Sequence, residues 1–220
     1  MPKTPLYFVP GMAANSKIFN SLQLNTQKYE THFLEWKIPL SVNESISSYA
    51  KRMCEEITHK NPVLIGVSFG GVMVQEMSKH IATEKIILIS SIKSNLELPK
   101  RLKLIQATKV YKLFPTKFIE NLESYVGYFL SEYQQKKAEA YKKYMSVRNP
   151  VYLHWAIYTL LHWQQSKPLK NTFHIHGTDD SVFPISHINN YIRIEKGTHA
   201  MILTKAKIIS SILEEILTDK

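Results

Sequence analysis

The sequence predicts an α/β fold: a mostly parallel six-stranded sheet flanked by helices, with a helical cap inserted into it. Three observations carry that prediction. Short, uniformly apolar runs such as Leu6-Tyr7-Phe8-Val9 and Ile86-Ile87-Leu88-Ile89 read as strands buried on both faces. Helical patterns alternate with these runs, which calls for parallel strands joined by right-handed crossovers. The alternation breaks once, over residues 92–168, where helical stretches follow one another and no strand is legible. Residues 1–91 and 169–220 are therefore expected to form the core and residues 92–168 the cap.

Taken in order, residues 6–9 form the first strand, which ends at Pro10-Gly11 and a tight loop, with Ser16 placed to cap a short helix. Residues 29–36 alternate as a second strand, ended by Ile38-Pro39. Over residues 45–57, Ile46, Tyr49, Ala50, Met53, Cys54 and Ile57 recur at three-and-four spacing, an amphipathic helix capped by Asn43 or Ser45. Residues 61–76 read as strand, turn and helix: Pro62 opens an apolar run, Gly66 to Gly71 make the turn, and Val72, Val74 and Met77 continue at helical spacing. Ser68 sits at the apex of that turn. Residues 85–90 form a further strand, and helical stretches follow near 100–113, 117–130, 132–147 and 151–165. Strands at 171–176 and 191–195 and an amphipathic helix over 205–217 complete the pattern.

At 220 residues the chain is long enough for one domain with a full core, and its single cysteine, Cys54, excludes an internal disulfide. Cys54 lies in an amphipathic helix and reads as a buried structural thiol, which fits a reducing compartment. Leu6 to Val9 is too short for a signal peptide and no window is apolar enough to span a bilayer, so a cytoplasmic protein without a membrane span is expected. The balance of 28 basic against 18 acidic residues gives a net charge of +10. No nucleic-acid module accompanies it. A solvated lysine-rich surface is the default reading and an acidic partner the alternative.

Six of the seven glycines, Gly11, Gly66, Gly70, Gly71, Gly177 and Gly197, fall just after or beside predicted strands, where open parallel sheets bind ligands. Tight turns alone also require glycine. Aspartate is more informative, because it occurs only at 179, 180 and 219, and two of these lie together in His176-Gly177-Thr178-Asp179-Asp180-Ser181-Val182-Phe183-Pro184. The final strand is followed by Gly197-Thr198-His199. Asp179 and Asp180 could instead cap the turn, His174 and His176 beside them could hold a metal, and His199 could be a surface histidine. His154 and His162 are most simply packing residues.

These segments resemble the α/β-hydrolase superfamily, in the manner of a small serine esterase with a helical cap; the resemblance covers both ends of the chain and not the cap. The G-x-S-x-G-G turn corresponds to the nucleophile elbow and implies Ser68 as nucleophile. The loop is similar to the family's H-G-x-x-D-x-x-x-P pattern, which implies Asp180 rather than Asp179 as the acid, and G-x-H implies His199 as the base. Pro10-Gly11-Met12 stands in the place of the oxyanion loop, with Pro10 where the family has a histidine, so the backbone N–H groups of Met12 and Phe69 are the implied oxyanion donors. The resemblance implies cleavage of a carboxylic ester or thioester with no cofactor and no metal. The cap combines aromatic residues (Tyr111, Phe114, Phe118, Tyr125, Tyr128, Phe129, Tyr152, Trp155, Tyr158 and Trp163) with basic ones, which is similar to esterases whose lid docks acyl groups on an acidic carrier protein. A non-catalytic ligand-binding protein, or a lyase or C–C hydrolase using the same residues, is the alternative.

Overall fold

The computed structural model describes residues 2–110 and 143–219. Its core is a six-stranded sheet of β1 (Thr4–Val9), β2 (Tyr29–Phe33), β3 (Val63–Val67), β4 (Lys85–Ile89), β5 (Thr172–Gly177) and β6 (Ile192–Ile194). Every pairing is parallel and the order is β2-β1-β3-β4-β5-β6. The chain winds outward from β1 in one direction to β2 and in the other through β3 to β6. The change of direction falls between β1 and β3, which is where an open parallel sheet has a crevice at its carboxyl ends.

Strand alternation divides the core between two faces. Tyr7, Val9, Leu64, Ile86 and Leu88 meet α1 (Ile46–Cys54), α2 (Phe69–Met77) and α4 (Pro150–His162). Leu6, Phe8, Ile65, Ile87, Ile89 and Ile175 face the other way, against α5 (Met201–Thr204) and α6 (Ala206–Thr218). Helix α3 (Lys100–Thr108) has no fully buried residue. All nine residues of α2 are buried, the pattern of a central helix covered on every side.

The predicted strands are all present, with β2 ending at Phe33 rather than at Trp36. Beyond Leu34, whose N–H still bonds the Phe8 carbonyl at 2.9 Å, the chain turns inward so that Trp36 Nε1 donates to the Gly11 carbonyl at 2.9 Å. Ser45 caps α1, but the cap of the first short helix is Asn15, whose side chain accepts the Lys17 N–H, and not Ser16. Burial raises the Cys54 thiol to about 11, as expected of an inert thiol. The stretches expected as helices over 117–130 and most of 132–147 lie outside the described residues, as do Tyr111, Phe114, Phe118, Tyr125, Tyr128 and Phe129. In α4, Tyr152 and Trp155 are fully buried; Trp155 stacks on Tyr49 with ring centroids 4.2 Å apart and its Nε1 donates to the Glu44 carbonyl. These rings belong to the sheet's own core. Among the described residues, no helix is long and apolar enough to cross a membrane.

Candidate active site

Ser68 joins β3 to α2 with φ 53° and ψ −120°, a conformation that side chains with a Cβ rarely adopt. The surrounding glycines explain how the turn closes. A Cβ on Gly66 would lie 2.3 Å from the Gly70 carbonyl oxygen, and one on Gly70 would lie 2.3 Å from the carbonyl oxygens of both Val9 and Pro10. The turn is thus pressed against the end of β1. The Ser68 side chain makes no capping bond to α2, so its hydroxyl is available to other groups.

The structure brings the three predicted side chains together. Ser68 Oγ lies 2.9 Å from His199 Nε2, and His199 Nδ1 lies 2.9 Å from Asp180 Oδ2 and 3.1 Å from Oδ1. Asp180 is buried, whereas His199 is partly exposed. Burial pushes the Asp180 carboxyl up. The hydrogen bond from His199, the charge of that ring whenever it is protonated, and the Phe183 N–H outweigh it and hold the group below the usual carboxylate range. An ionised carboxylate only accepts, so His199 Nδ1 carries the proton and Nε2 is left to accept the Ser68 Oγ–H. Asp180 Oδ1 also takes the Val182 and Phe183 N–H groups at 2.8 and 2.9 Å. Asp179, the neighbouring candidate, is exposed and accepts from Thr178 Oγ1 instead.

The loops after β5 and β6 are held at close range: a Cβ on Gly177 would sit 2.1 Å from the Gly197 carbonyl oxygen, which accepts the Asp179 N–H at 2.9 Å. This close approach is what delivers Asp180 and His199 to one another.

The two segments that carry the predicted backbone donors adjoin Ser68. Phe69 is the first residue of α2, where N–H groups lack an intrahelical acceptor and the helix dipole favours negative charge. Met12 follows Gly11, whose ideal Cβ position lies 3.6 Å from the Ser68 Cβ. Ser91 is a supporting residue that sequence reading missed. Its Oγ donates to the Ser68 carbonyl at 2.7 Å, and the Gly71 N–H donates to the same oxygen at 2.9 Å. Because a trans peptide points its C=O and N–H in opposite directions, fixing that carbonyl fixes the aim of the Phe69 N–H. Trp36, which holds the Gly11 carbonyl and stacks on Phe69 at 5.3 Å, was likewise unsignalled.

His174 and His176 do not present a metal site. His176 Nε2 donates to the Phe183 carbonyl at 2.8 Å, so its Nδ1 is left to accept from His174 Nε2 at 3.0 Å, and both rings are buried. Burial holds both histidines below their ordinary value, His174 far below; at His176 it outweighs the Phe183 hydrogen bond and the charge of Asp180, which pull the other way. The unfolded chain binds these protons near pH 6.5 and the folded chain does not. Stability should therefore fall as pH drops below about 6.5, with a slope of up to about 1.4 kcal/mol per pH unit for each histidine. Urea melts between pH 5 and 8 check this, and His174→Phe should flatten the slope.

No known protein-family profile and no curated protein matches the chain. Solved structures do. An epoxide hydrolase from Bacillus megaterium superposes with a TM-score of 0.73 at 13% identity, covering 99% of this chain and 94% of its own. A carboxylesterase from the thaumarchaeon Nitrososphaera gargenis gives 0.67 at 16% identity over 98% and 90%. A bromoperoxidase from Bacillus anthracis gives 0.65 at 16% identity over 99% and 93%. The chain has the α/β-hydrolase fold.

Proposed function

We propose that this α/β-hydrolase-fold chain is a serine hydrolase that cleaves a carboxylic ester or thioester through an acyl-enzyme on Ser68. The observation that carries the reading is the continuous hydrogen-bonded chain from Ser68 Oγ through His199 to the buried Asp180, built on a strained turn. Ser68 Oγ attacks the acyl carbonyl as its proton passes to His199 Nε2. The oxyanion takes hydrogen bonds from the N–H groups of Phe69 and Met12, each such donor being worth about 3 kcal/mol. His199 returns the proton to the departing alcohol or thiol, then activates the water that releases the acid and regenerates Ser68. Asp180 keeps the imidazole in the required tautomer and stabilises the imidazolium. Apart from the substrate and that water, every group in this sequence of steps is the chain's own.

The direct test is a fluorophosphonate probe followed by peptide mass spectrometry. Labelling should fall on Ser68 and be lost in His199→Ala; labelling elsewhere, or none, overturns the assignment. Asp180→Asn should lower kcat on a short activated ester by about 10⁴-fold, since the imidazole is then held in the wrong tautomer. Asp179→Asn, at an exposed position, should change it less than about threefold. The reverse order would move the acid by one residue.

The acyl substrate is a small molecule, free or carried on an acidic protein. Lys100, Lys103, Lys109 and Lys143 are exposed and support the second form. If they dock a carrier, turnover of a carrier-bound acyl group should fall steeply between low and moderate salt, while turnover of a free short ester stays level.

A further inference from the structure

On the edge strand β2, Glu30 and His32 are two residues apart and so lie on the same face of the sheet. His59, in the loop between α1 and β3, comes up beside them. One carboxylate oxygen and one nitrogen from each ring lie within 4.8 Å of one another. We propose that Glu30, His32 and His59 form a binding site for a divalent transition-metal ion of the zinc type, separate from the candidate active site.

The donor set and its spacing support this. His32 Nε2 is 3.1 Å from Glu30 Oε1, and His59 Nε2 is 3.8 Å from Glu30 Oε2. Two ligands of a tetrahedral zinc ion, each at about 2.1 Å, are separated by about 3.4 Å, between those two distances. Small side-chain rotations bring all three atoms onto one ion. His32 Nε2 is closed off from solvent and makes no hydrogen bond, close as it is to the carboxylate. With its lone pair free, this nitrogen and the carboxylate oxygen beside it are placed to share a cation.

The surroundings orient the rings as metal ligands require. His59 Nδ1 lies 2.8 Å from the hydroxyl of Tyr7, and that hydroxyl is 3.5 Å from Thr58 Oγ1. The hydroxyl can accept a hydrogen bond from Nδ1–H while donating to Thr58 Oγ1, which leaves the Nε2 lone pair for a metal; histidine ligands are commonly held by such an outer partner. Tyr7 is buried and stacks on His32 with centroids 4.5 Å apart and planes 14° from parallel, fixing the second ring. Glu30 is exposed, so water can complete the four ligands. The chemical class follows: two imidazoles and one carboxylate suit zinc and its neighbours late in the first row rather than magnesium or calcium. A bound ion would tie the edge strand to the loop that leads into β3.

The test is calorimetric titration of zinc sulfate into the chelator-treated full-length protein, with thermal melts alongside. Wild type should bind one equivalent and melt several degrees higher with saturating zinc. Glu30→Gln and His59→Gln, both at accessible positions, should melt like wild type without zinc, bind it at least about tenfold more weakly and lose the thermal shift. No binding by wild type up to about 1 mM zinc, a site well beyond ordinary metal affinities, overturns the proposal. So does one-equivalent binding that is unchanged in His59→Gln, as zinc held instead at His199 and Asp180 would give.

Discussion

Ser68→Ala should lower turnover of a short activated ester by on the order of 10⁵-fold or more, because removing a nucleophile costs about as much as removing every group that acts through it. Residual activity would come from the oxyanion donors alone. The fold should be nearly indifferent. Alanine retains the Cβ that makes φ 53°, ψ −120° costly, and the lost Oγ leaves a partly exposed position, so the melting temperature should move by less than about 3 °C. Ser68→Gly provides the contrasting arm. It removes the proposed nucleophile and also the steric cost, and it should stabilise the protein by about 1 kcal/mol, raising the melting temperature by about 2–4 °C. An inactive glycine variant that melts no higher than the alanine variant would mean that the turn stores no strain.

Gly70→Ala should be among the most damaging single-methyl changes in the chain. Its Cβ would stand 2.3 Å from two carbonyl oxygens and 2.9 Å from the Val9 carbonyl carbon, all backbone, so no side-chain rotation relieves the clash. Either α2 withdraws from β1 or the end of β1 moves. Overpacking of this kind costs at least about 3 kcal/mol, a fall in melting temperature of about 6–12 °C for a chain of this length. Because the displaced segment leads into Gly11 and Met12, the surviving folded protein should also lose kcat. A thermal melt and a kcat measurement below the transition check both parts.

The frame and the three-side-chain cluster were legible because each rests on a local demand that sequence expresses. Strands buried on both faces must be apolar throughout, as Ile86 to Ile89 are, and the Ser68 turn admits only glycine at Gly66 and Gly70. Asp180 could be separated from Asp179 only by its place between Gly177 and Pro184, since both are equally good turn residues. The supporting groups left no such trace. Ser91 matters because β4 ends beside β3, and Trp36 because the chain after β2 folds back over the Gly11 loop; neither contact follows from spacing. Trp155 follows a long helical block in sequence, yet its burial is set by Tyr49 and α2, about a hundred residues earlier. Hydrophobic periodicity shows that a helix has a buried face and not what covers it.

Ser68 and His199 are 131 residues apart in sequence, and the strand that positions His199 is only three residues long. Contacts this distant form late, after the entropy of closing the intervening chain has been overcome. The turn at Ser68 is itself held by β1 and β4, through the approach of Gly70 to Val9 and Pro10 and the Ser91 hydrogen bond, and its hydroxyl meets His199 only when β6 is also in place. The reactivity proposed for Ser68 is thus a property of the completed sheet.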